Sequence, residues 1–153
     1  MEDAESAMSY FSNIEIAMAL SAFMRTVEGF RGARYRWGGD DPSGFDCSGL
    51  VVEGLKAADQ IGETEDYTAD SLYHKYFAKL VPKPHRGCLI FRLNKQGKAV
   101  HVGICEDQLY YLAAEGGGPH IKTDEDADKY NAFIKTRPIR KIKNPRFVDP
   151  WKD

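Results

Sequence analysis

One change of character divides this chain. Up to about residue 80 its apolar positions recur at helical spacing, and from Cys88 onward they fall into short apolar or alternating runs separated by turn formers. Helices first and strands afterwards predict an α+β architecture, with N-terminal helices packed on an antiparallel sheet. That order sets a helix N-terminus beside a sheet.

From Asn13, the residues Ile16, Leu20, Phe23, Met24 and Val27 keep the helical period, with Asn13 as the expected N-cap and Gly29 or Gly32 near the end. Residues 1–12 read as an extension. The stretch 35–46 is dense in glycine and turn formers and reads as an irregular loop. A second helix is expected from about Cys47, capped by Asp46, turning Leu50, Val51 and Leu55 inward and ending before Gly62. A third is expected over residues 69–79, stopped by Pro82 and Pro84. Strands are expected at 88–91, 99–105, 109–114 and 132–139, with residues 141–153 as a tail. At 153 residues, 42% of them hydrophobic, the chain is read as one domain over 1–153.

A net charge of −2 gives no electrostatic footprint for nucleic acid, and the basic run Arg137-Pro138-Ile139-Arg140-Lys141-Ile142-Lys143 reads as a solvated strand edge. The acidic start, Met1-Glu2-Asp3-Ala4-Glu5, is unlike a basic secretory leader, and no apolar run reaches membrane-spanning length. A chain that is cytoplasmic as synthesised, with no membrane partner, is expected. Three cysteines, Cys47, Cys88 and Cys105, form neither a close metal-type pair nor a closed disulfide framework, so free thiols and no metal site are predicted.

A thiol becomes nucleophilic when its thiolate is stabilised, as at the positive end of a helix, and only Cys47 has that setting. Cys88 and Cys105 lie in expected strands, where a cysteine is usually buried and inert. Glycines 38, 39 and 44 let backbone approach a ligand, and Asp46 and Ser48 flank the sulfur with polar groups. A cysteine nucleophile also needs a base within hydrogen-bond reach. His101 sits in Val100-His101-Val102-Gly103-Ile104, where alternation sets His101, Gly103 and Cys105 on one face and Val100, Val102 and Ile104 on the other. His74 and His85 read as surface residues, and His120 is a minor candidate.

The segments Tyr35-Arg36-Trp37-Gly38-Gly39, Gly44-Phe45-Asp46-Cys47-Ser48-Gly49-Leu50-Val51 and His101-Val102-Gly103-Ile104, in that order and separation, resemble the NlpC/P60 family of papain-like cysteine peptidases. The resemblance runs from about residue 14 to residue 139. It implies a papain-like α+β fold in which the helix bearing Cys47 packs on a sheet bearing His101. It also implies a substrate class, peptidoglycan stem peptides cut between D-γ-glutamate and a diamino acid, with Cys47 as nucleophile, His101 as base and no cofactor. Tyr35, Asp46 and Ser48 match family positions that line the site and contact the substrate's amino end.

Two departures stand out. Where the family has Gly-Asp-Leu-Val, this chain has Gly87-Cys88-Leu89-Ile90, a thiol in place of a carboxylate. Where family spacing expects a polar residue to orient the imidazole, it has Ala113. Strand parity offers replacements: an odd-numbered turn around Asp107 sets Tyr111, Ala113 and Glu115 on the face of His101, and an even-numbered one selects Tyr110, Leu112 and Ala114. Glu115 is the first choice, because a carboxylate both accepts from an imidazole N–H and stabilises its cation. His120 is the second, folded back by Gly116-Gly117-Gly118, and a backbone carbonyl or water is the remaining option. The expected function is a peptidoglycan endopeptidase, in a phage lysin, a recycling or an exported-effector setting. The alternatives are an amidase or acyltransferase on a related fold, and a degenerate protein that binds wall peptides without cutting them.

Overall fold

The computed structural model describes residues 2–41 and 44–152. Its elements run α1 (Glu2–Gly29), β1 (Asp40–Asp41), β2 (Gly44–Phe45), α2 (Cys47–Ala57), α3 (Ala69–Lys75), β3 (Leu80–Val81), β4 (Leu89–Leu93), β5 (Ala99–Cys105), β6 (Tyr110–Glu115), α4 (Asp124–Lys129), β7 (Phe133–Pro138) and β8 (Arg146–Val148). The fold is α+β, as the order of sequence patterns predicts.

Six strands form one antiparallel sheet in the order β3-β8-β4-β5-β6-β7, and β1 and β2 form a separate short hairpin. The helices cover one face. Phe23, Met24 and Val27 of α1 and Leu50, Val51, Val52 and Leu55 of α2 join Leu89, Phe91, Val102, Ile104, Leu112 and Ile134 of the sheet in a single buried cluster. Burying each large aliphatic side chain contributes roughly 1.5–3 kcal/mol, so this cluster supplies most of what holds α2 against β5. A second cluster, on Cys88, Ile90, Cys105, Tyr111, Ala113, Ile139, Ile142 and Phe147, covers the other face.

Local chemistry fixes the helix starts. Asp46 accepts from the Gly49 amide at 2.7 Å and so caps α2. Thr68 and Ser71 cap α3 reciprocally: the Ser71 amide donates to Thr68 Oγ1 at 3.1 Å, and the Thr68 amide donates to Ser71 Oγ at 2.8 Å. Glycine is required at position 49, because a Cβ there would collide with the Gly39 carbonyl. That contact presses the glycine-rich loop onto the first turn of α2.

Several elements differ from the sequence expectation. The first helix starts at Glu2, and Asn13 lies inside it. The third helix stops at Lys75 and tightens into a 3₁₀ turn over Phe77–Lys79, because Leu80 and Val81 are drawn out to pair with β8. Residues 141–153 are no tail: β8 lies between β3 and β4, with Phe147 and Val148 buried and Trp151 ring-packed on Phe23. In β5 the alternation breaks. Arg92 pairs with His101 but Leu93 pairs with Ala99, so Val100 bulges and is 43% exposed while Ala99 is buried. Among the described residues, no helix is long and apolar enough to cross a membrane.

Candidate active site

The bulge sits one residue before His101 and breaks the flat ladder where β5 meets the start of α2. Asp70 of α3 secures the same corner, accepting from the Ala99 amide at 2.9 Å. The hairpin from β5 to β6 pairs Cys105 with Tyr111 and Ile104 with Leu112. Three residues, Asp107, Gln108 and Leu109, close it, and the Glu106 amide donates to the Tyr110 carbonyl at 2.9 Å. The odd count sets Tyr111, Ala113 and Glu115 on the face of His101.

His101 Nε2 lies 3.1 Å from Glu115 Oε1, and the Tyr111 hydroxyl donates to the same oxygen at 2.7 Å. With Nε2 engaged by the carboxylate, Cys47 is the second side chain that acts on the ring. Burial by itself disfavours the imidazolium, but hydrogen bonds to Cys47 and Glu115 and their charges outweigh it and push the His101 pKa up to about 9. Burial likewise opposes ionisation of Glu115, and the His101 contact overcomes it, holding the carboxyl below its ordinary range. Tyr111 is pushed well above the usual phenol range by burial and by Glu115, so its hydroxyl stays a donor.

The other two thiols are unlike Cys47, which is partly exposed. Burial pushes Cys88 up to about 11 and Cys105 higher still. Ala113 is fully buried among apolar neighbours and holds no polar group near the imidazole. His120, the second choice for the third position, is not brought there; its ring packs edge-on against Tyr130 with centroids 4.7 Å apart.

Cys47 lies where two hollows meet. One, of about 490 Å³, is walled by Tyr35, Trp37, Asp46, Ser48, Asp70 and Lys98. The other, of about 210 Å³, is walled by Arg92, His101, Glu115 and residues 116–118. Both touch Tyr35, Trp37, Cys47 and Val100. All three positions expected to contact substrate, Tyr35, Asp46 and Ser48, thus line the first hollow. The Asp46 carboxylate accepts from the Gly38 amide at 3.1 Å and from Ser48 Oγ at 3.4 Å, besides capping α2. Burial raises its pKa despite these donors. Burial beside Cys47 and Asp46 also pushes Tyr35 far up, so its ring presents a neutral hydroxyl.

The sequence expectation missed several lining residues. Trp37, 53% exposed at the mouth, stood in the quoted loop without a role, and Asp70, Arg92 and Lys98 carried no signal because their relation to Cys47 is tertiary. It also predicted no metal-type cluster, whereas among the described residues His85, Cys88 and Asp149 converge away from the cleft.

An α2-borne cysteine meeting a β5-borne histidine, steadied by a carboxylate on β6, over a cleft at the helix start defines a thiol–imidazole site on an α+β scaffold. The chain belongs to the NlpC/P60 family, whose pattern it matches over residues 32–139. It is 33% identical over 117 residues to the murein DD-endopeptidase MepH of Escherichia coli K12, which covers 74% of this chain and 41% of that protein; the chain thus spans well under two thirds of this relative. The crystal structure of the P60 domain from M. avium subspecies paratuberculosis antigen MAP1204 superposes with a TM-score of 0.65 at 20% identity, covering 90% of this chain and 98% of that one. The peptidoglycan hydrolase RipB from Mycobacterium tuberculosis gives a TM-score of 0.68 at 21% identity, covering 92% of this chain and 68% of that one. At these identities the two structures show the shared fold.

Proposed function

We propose that this protein is a cysteine peptidase that hydrolyses peptidoglycan stem peptides at the amide between D-γ-glutamate and a diamino acid. The observation that carries this reading is His101 set between Cys47 and the Glu115 carboxylate, with Nε2 held at 3.1 Å. The substrate class rests on family membership and on relatives named a murein endopeptidase and a peptidoglycan hydrolase.

In this mechanism the proton of the Cys47–His101 pair sits on the imidazole, and the sulfur attacks the scissile carbonyl carbon. Amides at the start of α2 receive the developing oxyanion. The imidazolium gives its proton to the leaving amine, which departs and leaves a thioester. Water, deprotonated by His101, then releases the acid and restores the thiol. Glu115 keeps the ring oriented and its cation stabilised throughout, with Tyr111 steadying the carboxylate. The 490 Å³ hollow takes the substrate's amino end against Asp46, Ser48 and Tyr35.

The name of MepH favours a second choice of bond, between two D-configured residues. Mass spectrometry of products from defined stem peptides and cross-linked muropeptides separates the two. Cleavage beside D-γ-glutamate, absent in Cys47→Ala, supports the first. Cleavage only at the cross-link supports the second, and binding with no turnover of either substrate marks a degenerate wall-peptide binder.

A further inference from the structure

We propose that His85, Cys88 and Asp149 form a metal site for a zinc-type divalent ion, separate from the cleft, that fastens β8 to the start of β4. An imidazole nitrogen, a thiol sulfur and a carboxylate oxygen are the mixed donor set that suits zinc and disfavours calcium or magnesium, which take oxygen ligands. One donor atom from each side chain falls within 4.8 Å of the other two. A tetrahedral ion with ligands at about 2.0–2.3 Å requires donor separations of about 3.4–3.6 Å. His85 Nε2 and Asp149 Oδ2, at 2.9 Å, therefore have to open by only about 0.5 Å.

The surroundings hold the donors in place. The Cys88 amide donates to the His85 carbonyl at 3.0 Å, closing a tight turn that carries both ligands, and Gly87 at φ 94° supplies the left-handed step such a turn needs. The Trp151 indole donates to the Gly87 carbonyl at 2.9 Å, and the Trp151 amide to Asp149 Oδ1 at 3.0 Å. The second bond orients the carboxylate with Oδ2 toward His85, the kind of outer contact that fixes metal ligands. Cys88 is fully buried, and the Asp149 side chain is 12% exposed. The His85 side chain is 50% exposed and leaves a path for the ion, with a fourth position for water. Cys88 precedes β4 at the end remote from Arg92, the residue paired with His101; four residues of strand put about 13 Å between them. The site is therefore structural, joining residues 85–88 to the segment after β8.

The test is cobalt(II) titration of chelator-treated Cys47→Ala protein, in which the cleft thiol is gone. One equivalent should produce a thiolate-to-cobalt charge-transfer band that zinc(II) displaces. The band should vanish when Cys88→Ser is added. His85→Ala, a change at a half-exposed side chain that should leave the circular dichroism spectrum intact, should weaken binding at least tenfold and abolish the rise in Tm that zinc gives the wild type. Absence of the band, its survival in Cys88→Ser, or unchanged affinity in His85→Ala would each overturn the proposal.

Discussion

His101 holds a proton in a place that leaves its side chain only 13% exposed. Its folded pKa, raised to about 9 against an unfolded value of about 6.5, means that its contribution to stability is complete below about pH 6.5 and is lost as pH rises through about 9. The shift corresponds to something on the order of 3 kcal/mol. Glu115 has the opposite sign: its pKa is depressed, so its contribution is present above the ordinary carboxylate range and fades as pH falls. The wild-type Tm should therefore decline between about pH 6.5 and 9, and His101→Gln should remove most of that decline; parallel Tm–pH curves for the two proteins would contradict the coupling. Tyr111→Phe removes the 2.7 Å bond to Glu115 and should lower kcat/KM on a cleaved stem peptide about tenfold with little change in KM, because a hydrogen bond to a charged group contributes about 1.5–3 kcal/mol. An unchanged kcat would remove Tyr111 from the account. At this scale, the nearness of Cys47 to His101 was legible from a helix start and an alternating strand, and Glu115 from strand parity, given an odd-numbered turn, together with the preference of an imidazole for a carboxylate partner. The cluster of His85, Cys88 and Asp149 was not, since its members lie 61 residues apart in the chain at their nearest approach across β8.

Among the elements, α2 is the one that serves both fold and site, and Asp46 joins the two duties by capping the helix while facing the cleft. Asp46→Asn keeps a side-chain acceptor for the Gly49 amide and removes the charge; Asp46→Ala removes both. The alanine variant should lose about 1 kcal/mol of stability in denaturant unfolding, and the asparagine variant a fraction of that. Both should bind a stem peptide with a free amino end more weakly, and an asparagine variant with wild-type affinity would take the carboxylate out of recognition. The start of α2 was readable because Asp46, Cys47 and the apolar spacing of Leu50, Val51 and Leu55 agree. Helix α4 was not, since Asp-Glu-Asp-Ala-Asp-Lys has a single apolar residue and hence no period to detect. The β5 bulge was also hidden, because Val100 is as apolar as its neighbours and only the pairing of Leu93 with Ala99 displaces it.

Across the whole molecule, the sheet holds the cleft residues in register, and its interior includes a strand from the far end of the chain. The four residues between Pro145 and Pro150 carry too little pattern to announce β8, yet Phe147 pairs with both Ile90 and Val81. Deleting residues 143–153 would strip β4 and β3 of their shared partner, expose Leu89 and Ile90, and remove the Trp151 ring from Phe23. The shortened protein should lose cooperative thermal unfolding, and a Tm within a few degrees of the full chain would show that β8 is dispensable. In the proposed mechanism Cys47, His101 and Glu115 act as a unit, which a pH–rate profile on a single stem peptide tests most directly. Wild-type kcat/KM should fall on the alkaline side near pH 9, where His101 gives up its proton; Glu115→Gln should move that limb to lower pH, and Cys47→Ala should show no turnover. An alkaline limb that stays in place in Glu115→Gln, or cleavage that survives in Cys47→Ala, would contradict the account.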